Sequence, residues 1–350
     1  MASEPIRSPF ASAASYAAAC EWIDYRGVRF AARFSDLAAE LAAVEAGPVL
    51  VDRTDRGLIE VTGKDRKTWL HNLVTNAVKT LDDGAGNYAF AIDVRGRTIF
   101  DVNILVLTDS LWLDVDRSMA GAAIAHLNKF LITEDAKMVD RSAEFARLGV
   151  TGAGVDLIAP ALGAGNFVAM PSLASTWTAD GGTRFVRHDF AGRPGFELII
   201  PVDAAAGVWE RLVGLGVRPI GFEALDVLRI GAGIPWIGRD IDEKTIPPET
   251  GQIERGISYH KGCYLGQEVI ERMRSHGTVA RRLVKIDIAG RPTIEVPTDI
   301  RQGEAVVGRL TSLAFEPVAG KSIGLGYVRT ALKDLTGLRA DDSPLEVAGA

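Results

Sequence analysis

At 350 residues the chain is longer than one small hydrophobic core serves, so two or three packed units are expected. A hydrophobic fraction of 47% and a charged fraction of 24% are those of an ordinary soluble globular protein, and the net charge of -6 leaves no global basic field to hold nucleic acid. Two cysteines, Cys20 and Cys263, without a C-x-x-C pair, exclude a disulfide framework and point to a reducing, cytoplasmic setting.

No run reaches the ~18 apolar residues that span a bilayer. The segment ASAASYAAAC mimics a lipoprotein cleavage site, but Glu4, Pro5, Arg7 and Pro9 leave no apolar stretch before it, and no anchor is expected. Residues 35–46, SDLAAELAAVEA, predict an Ala-rich helix stopped by Gly47-Pro48. VLVDRTDRGLIEVTG predicts two strands around a turn. GKDRKTWLHNLVTNAV predicts a helix with Trp69, Leu70, Leu73 and Val74 on one side.

Residues 87–116 predict a hairpin and a third strand. In TIFDVNILVL, Phe100, Val102, Ile104 and Val106 share one face, and Asp101 and Asn103 the other, because side chains alternate along a strand. Helices are predicted over 118–131, 203–214 and 221–233. A second hairpin spans 184–200, with Phe196, Leu198 and Ile200 inward and Glu197 pointing away. Gly96-Arg97-x-x-Phe100-Asp101 matches Gly192-Arg193-x-x-Phe196-Glu197, so the two hairpins read as a diverged repeat that faces Asp101 and Glu197 into a shared cavity. A long connection rich in Pro and Gly follows. From 279, short strands split by Gly and Pro predict a small antiparallel barrel or sandwich. The last residues show no pattern.

The Gly-rich GVTGAGVDLIAPAL lacks the G-x-G-x-x-G spacing and reads as a turn plus helix start. His260, Cys263 and His276 match no zinc spacing, and two distant cysteines cannot hold an iron–sulfur cluster alone. In KGCYLGQE, a helix beginning near Leu265 would leave Cys263 just before its N-terminus. Lys261 and the helix dipole would then both favour the thiolate. A buried turn cysteine is the equal alternative. Glu268 and Arg272 fall at i,i+4, and Arg272, Arg274, Arg281 and Arg282 form a local cationic strip.

IPPETGQIERGISYHKGCYLGQEVIERMRSHG resembles the signature of the YgfZ-type folate-binding proteins, whose K-G-C-Y-x-G-Q-E motif is matched at Lys261, Gly262, Cys263, Tyr264, Gly266, Gln267 and Glu268. That group belongs to the superfamily of the glycine-cleavage T-protein, an aminomethyltransferase, and includes assembly factors for four-iron, four-sulfur clusters. VDRTDRGLIEVTGKD, GRTIFDVNI, GRPGFELIIP, LRIGAGIPWIGRDID and VVGRLTSLAFEP agree in order, so the resemblance covers roughly residues 45–330.

The resemblance implies an α+β fold with ferredoxin-like units around a central channel, then a C-terminal antiparallel β-barrel. The expected division is an N-terminal extension with a helix (1–45), a folate-binding region (46–240), a connecting loop with the KGCYLGQE helix (241–278), a barrel (279–337) and a tail (338–350). It implies tetrahydrofolate or a derivative as cofactor. Asp101 would lie near the reacting folate nitrogens, Glu197 on the pterin and Arg229 near the ligand. Asn103, Lys261 and Tyr264 would join the cofactor site, Lys261 suiting the anionic glutamate tail, and Cys263 would be the functional thiol. T-proteins usually carry two adjacent acids where this chain has Phe100-Asp101, and Glu where it has Gly231. They also lack the cysteine loop. The expected function is therefore a folate-binding accessory in iron–sulfur cluster assembly or repair, with assembly machinery or client enzymes as partners. The alternative is a folate-dependent aminomethyl- or methyltransferase. A monomer is expected.

Overall fold

The computed structural model describes residues 4–163, 165, 167–277 and 279–349. An antiparallel sheet and a mixed sheet face each other, and a third, barrel-like sheet closes the C-terminal end. The first sheet runs in the order Gly86–Ile92, Thr98–Val106, Leu111–Asp116, Arg56–Thr62, Lys137–Asp140. The second runs Ser175–Trp177, Arg184–Arg187, Gly195–Pro201, Phe145–Gly152, Pro48–Asp52, Arg218–Pro219. Apart from the extra edge strand Ser175–Trp177, the orders correspond: a hairpin, an antiparallel third strand, then one of two strands consecutive in sequence. Pro48–Asp52 and Arg56–Thr62 are thus split between the sheets, and the short turn joining them crosses from one to the other.

Alternation sets the layers. Phe100, Val102 and Ile104 bury into a core on the outer face of the first sheet, roofed by the helix Ala120–Asn128. Phe196, Leu198 and Ile200 do the same on the second, under the helix Ala205–Gly214. Burying each such side chain stabilises by about 1.5–3 kcal/mol. The opposite faces meet in a layer containing Leu58, Phe90, Leu105, Val186 and Ile199. The hairpin turns are also alike. Gly96 and Gly192 both hold positive φ, at 76° and 74°, which only glycine adopts cheaply. The helix Gln267–His276 packs on the first turn through Val269, and the helix Phe222–Gly231 ends against the second at Ala232.

Three expectations change. The helix predicted over 63–78 stops at His71, because Val74 bridges Ala91 and the Thr75 amide donates to the Phe90 carbonyl. Residues 1–45 are more than an extension with a helix. Besides the helix Leu37–Ala46, capped by Asp36, they supply a three-stranded sheet, and Phe10 and Tyr16 are buried in the core around Trp209. Residues 338–347 are no tail. Leu338–Ala340 and Glu346–Val347 pair with the barrel strands Thr298–Gln302 and Arg281–Ala289, and Leu338, Ala340 and Leu345 are buried. Among the described residues, no helix is long and apolar enough to cross a membrane.

Candidate functional site

The inner faces of the two sheets carry charge as well as hydrocarbon. Asp101 accepts a hydrogen bond on Oδ2 from the Tyr88 hydroxyl at 2.9 Å. The Asn103 amide donates to Asp114 Oδ2 at 2.7 Å. Asp114 is also paired with Arg56 at 2.8 Å and with Arg147, which comes from the second sheet and lies 3.6 Å from Glu197. Glu197 in turn accepts from Arg53 at 3.0 Å and meets His188 Nδ1 at 2.8 Å. A continuous chain of polar contacts, ionic from Asp114 onward, therefore runs from Asn103 to His188 through buried side chains.

Burial alone would disfavour both buried acids as anions. For Glu197, the Arg147, Arg53 and His188 side chains outweigh desolvation and hold the carboxyl well below its ordinary range. For Asp114, Arg147 and Arg56 outweigh desolvation and lower the carboxyl.

Two acceptors stay unfilled. Asp101 Oδ1 and Asn103 Oδ1 are buried and meet no protein donor. They sit two residues apart on one face of one strand, so about 7 Å separates their backbone positions. The Tyr264 hydroxyl, from the connecting segment, is likewise buried without a partner, and its ring belongs to the same inter-sheet layer. An orphaned buried acceptor costs roughly 1–3 kcal/mol, so this is where a ligand's donors would be most useful. A folate carries N–H donors, the kind of group that these acceptors lack.

The structure gathers some of the expected residues and separates others. Asp101, Asn103 and Tyr264 share the inter-sheet layer. Glu197 faces it too, but both its oxygens are engaged by Arg53 and His188, which makes it an anchor of the ionic chain before it is a free acceptor. Arg229 is a correction. Fully buried, it pairs with Asp226 at 2.7 Å and with Asp240, donates to Ser312 Oγ at 2.6 Å and lies 4.7 Å over the Trp236 ring. Its donors lock the helix Phe222–Gly231 to the barrel.

Lys261 is another correction. Its ammonium donates to the backbone carbonyls of His71, Val74 at 2.6 Å and Asn76 at 3.0 Å, so its three N–H donors are engaged within the chain. Burial pushes it down to about 7. Cys263 is exposed, and the helix that follows begins at Gln267, two residues later than expected. Gly266 has φ 77°, and a Cβ there would run into the Asp93 carbonyl, so the loop is pressed onto the first hairpin turn. Among the described residues, no group of His, Cys, Asp or Glu is placed to hold a metal ion.

Sequence reasoning missed Tyr88, Arg53, Arg56, Asp114, Arg147 and His188. The available signal was charge inside apolar strands: Asp114 in LWLDVD and Arg147 in FARLGV.

Two facing α+β sheets, an inter-sheet ionic chain and a nearly closed antiparallel barrel define a protein of the T-protein fold. The GCVT N-terminal domain model matches residues 10–259, and the glycine cleavage T-protein C-terminal barrel domain model matches residues 281–347. The chain belongs to the glycine cleavage T-protein family. It is 29% identical over 309 residues to an aminomethyltransferase of Rubrobacter xylanophilus, covering 87% of this chain and 82% of that one. It is 27% identical over 317 residues to an aminomethyltransferase of Pseudomonas syringae pv. tomato, covering 89% and 87%. The glycine cleavage system aminomethyltransferase T of Bartonella henselae superposes with a TM-score of 0.86 over 97% of this chain and 96% of that one, at 19% identity, a likeness of fold.

Proposed function

We propose that the chain binds a tetrahydrofolate derivative against the inner face of the first sheet and handles its one-carbon unit, in the class of aminomethyl or methyl transfer. The observation that carries this is the pair of buried, unfilled acceptors, Asp101 Oδ1 and Asn103 Oδ1. The aminomethyltransferase names of the relatives support it. Bound tetrahydrofolate would supply the nitrogens that carry the one-carbon group. Tyr88 fixes the Asp101 carboxylate through Oδ2 and leaves Oδ1 for the ligand. The ionic chain from Asp114 to Glu197 holds the two inner faces in register, and the layer of Leu58, Phe90 and Ile199 excludes water around them. The working unit is proposed to be a cytoplasmic monomer. Transfer of an aminomethyl group from a lipoyl carrier to tetrahydrofolate, followed by product formation, tests the activity. Binding without turnover would remove the transferase and keep the folate site.

A second reading is favoured by one observation. Cys263 is exposed in a loop that carries the full YgfZ-type signature, which T-proteins lack. In this reading the chain is a folate-binding accessory in iron–sulfur cluster assembly or repair, and the single thiol supports transient sulfur or disulfide chemistry. Cells lacking the protein decide it. Restoration of iron–sulfur enzyme activity by the native chain but not by Cys263→Ser supports the accessory role, and full rescue by the serine variant removes it.

A further inference from the structure

The cationic strip of the sequence divides in three dimensions. Arg274 pairs with Glu271 and lies over the Tyr259 ring, and Arg282 turns to the other face of its strand. Arg281 instead joins two arginines that are distant in sequence. It stands directly opposite Arg329 across an antiparallel pair, and the next residue along that partner strand on the same face, Tyr327, is opposite Arg309. Like charges placed directly opposite each other on a sheet destabilise it, unless an anion lies between them.

These side chains line a pocket of about 260 Å³ on the barrel. Its one lining carboxylate, Asp299, faces Arg309 but is held by Arg301 at 3.3 Å. Glu249 neutralises Arg281 at 2.9 Å, while Arg309 and Arg329 meet no carboxylate among the described residues. Tyr327, only 2% exposed, also lines the pocket, and its buried hydroxyl has no hydrogen-bond partner, with the charges of Arg281 and of Asp240, Glu249 and Asp242 acting on it. A site smaller than those that enclose drug-sized ligands, walled by guanidinium forks and one idle hydroxyl donor, suits a compact oxyanion.

We propose that this barrel pocket is a binding site for a small phosphate-type oxyanion carrying two negative charges, held by Arg309 and Arg329 with Arg281 and the Tyr327 hydroxyl behind them. The site is independent of the folate proposal. Free phosphate and a phosphate monoester share this chemistry, and they are separated by titrating both inorganic phosphate and glycerol phosphate into the full chain by calorimetry, against chloride at matched ionic strength.

Saturable binding of inorganic phosphate is expected, tighter binding of the ester marking an ester site. Arg309→Gln/Arg329→Gln should weaken it at least tenfold, and Tyr327→Phe severalfold. Both exposed arginines can be replaced without touching the core, and a thermal melt checks this. Arg282→Gln and Asp101→Asn should leave phosphate binding unchanged. No saturable heat at matched ionic strength, or a double variant that binds like the native chain, overturns the site.

Discussion

Asp114 and Arg147 occupy equivalent positions in the two sheets and pair with each other across them. Asp114 lies opposite Asn103, and Arg147 lies opposite Ile199. The repeat that aligns Asp101 with Glu197 aligns Asn103 with Ile199, and so the residues opposite them. The pair sits where the pseudo-twofold relation would carry one sheet onto the other, and two chemically unlike residues at matched sites allow it to form.

Removing one member strands its partner in the interior. Arg147→Met is expected to destabilise by about 3–5 kcal/mol, since Asp114 and Glu197 lose a shared cation without gaining solvent. A guanidinium chloride titration should show a lower midpoint at unchanged slope. A midpoint within experimental error of the native one would mean that the pair contributes nothing net.

Glu197 sets an acid limit. Its folded carboxyl lies below the unfolded value of about 4.3, because Arg147, Arg53 and His188 outweigh desolvation. Its contribution is then complete above that pH and is lost as the pH falls through the folded value. The stability gap between the native chain and Glu197→Gln should hold from pH 7 to about 5. Below pH 4 it should narrow by about 1.4 kcal/mol per unit. Denaturant titrations at pH 6, 4 and 3 measure it, and a gap constant down to pH 3 contradicts the ion-pair role.

Face alternation was legible because it is local. Phe100 against Asp101 and Phe196 against Glu197 needed only the strand period, and the matching turns gave the repeat. Partners were not legible. Arg147 and Asp114 are charges inside apolar strands, and nothing in either strand names the other. Lys261 was assigned to the nearby thiol, yet its acceptors lie 185 to 190 residues earlier in the chain. Arg229 carried a ligand role by resemblance, whereas Asp226, Asp240 and Ser312 consume its donors. The strands at 338–347 are two or three residues long, too short to show a period.

Lys261 ties the cysteine loop to residues 71–76. A neutral amine has two N–H bonds for three carbonyls, so the contact set requires the ammonium even though burial pushes the group down to about 7. Lys261→Met strands these acceptors and is expected to cost about 3 kcal/mol or more. Amide exchange should accelerate over residues 72–78 and 264–266 before the rest of the fold. Unchanged protection there would show that the carbonyls find other donors.

Asp101 is proposed to offer its free oxygen to the folate. Asp101→Asn can keep Tyr88 on its oxygen and turn an amide donor toward the ligand's donors. Loss of a charged hydrogen bond costs about 1.5–3 kcal/mol, roughly ten- to a hundredfold in affinity. Anaerobic calorimetric titration of tetrahydrofolate into the native chain and Asp101→Asn, with melting curves for both, measures it. Binding by the native chain and that weakening in the variant are expected, with a melting temperature close to native. Equal affinity in the two proteins, or no binding to the native chain, would contradict it.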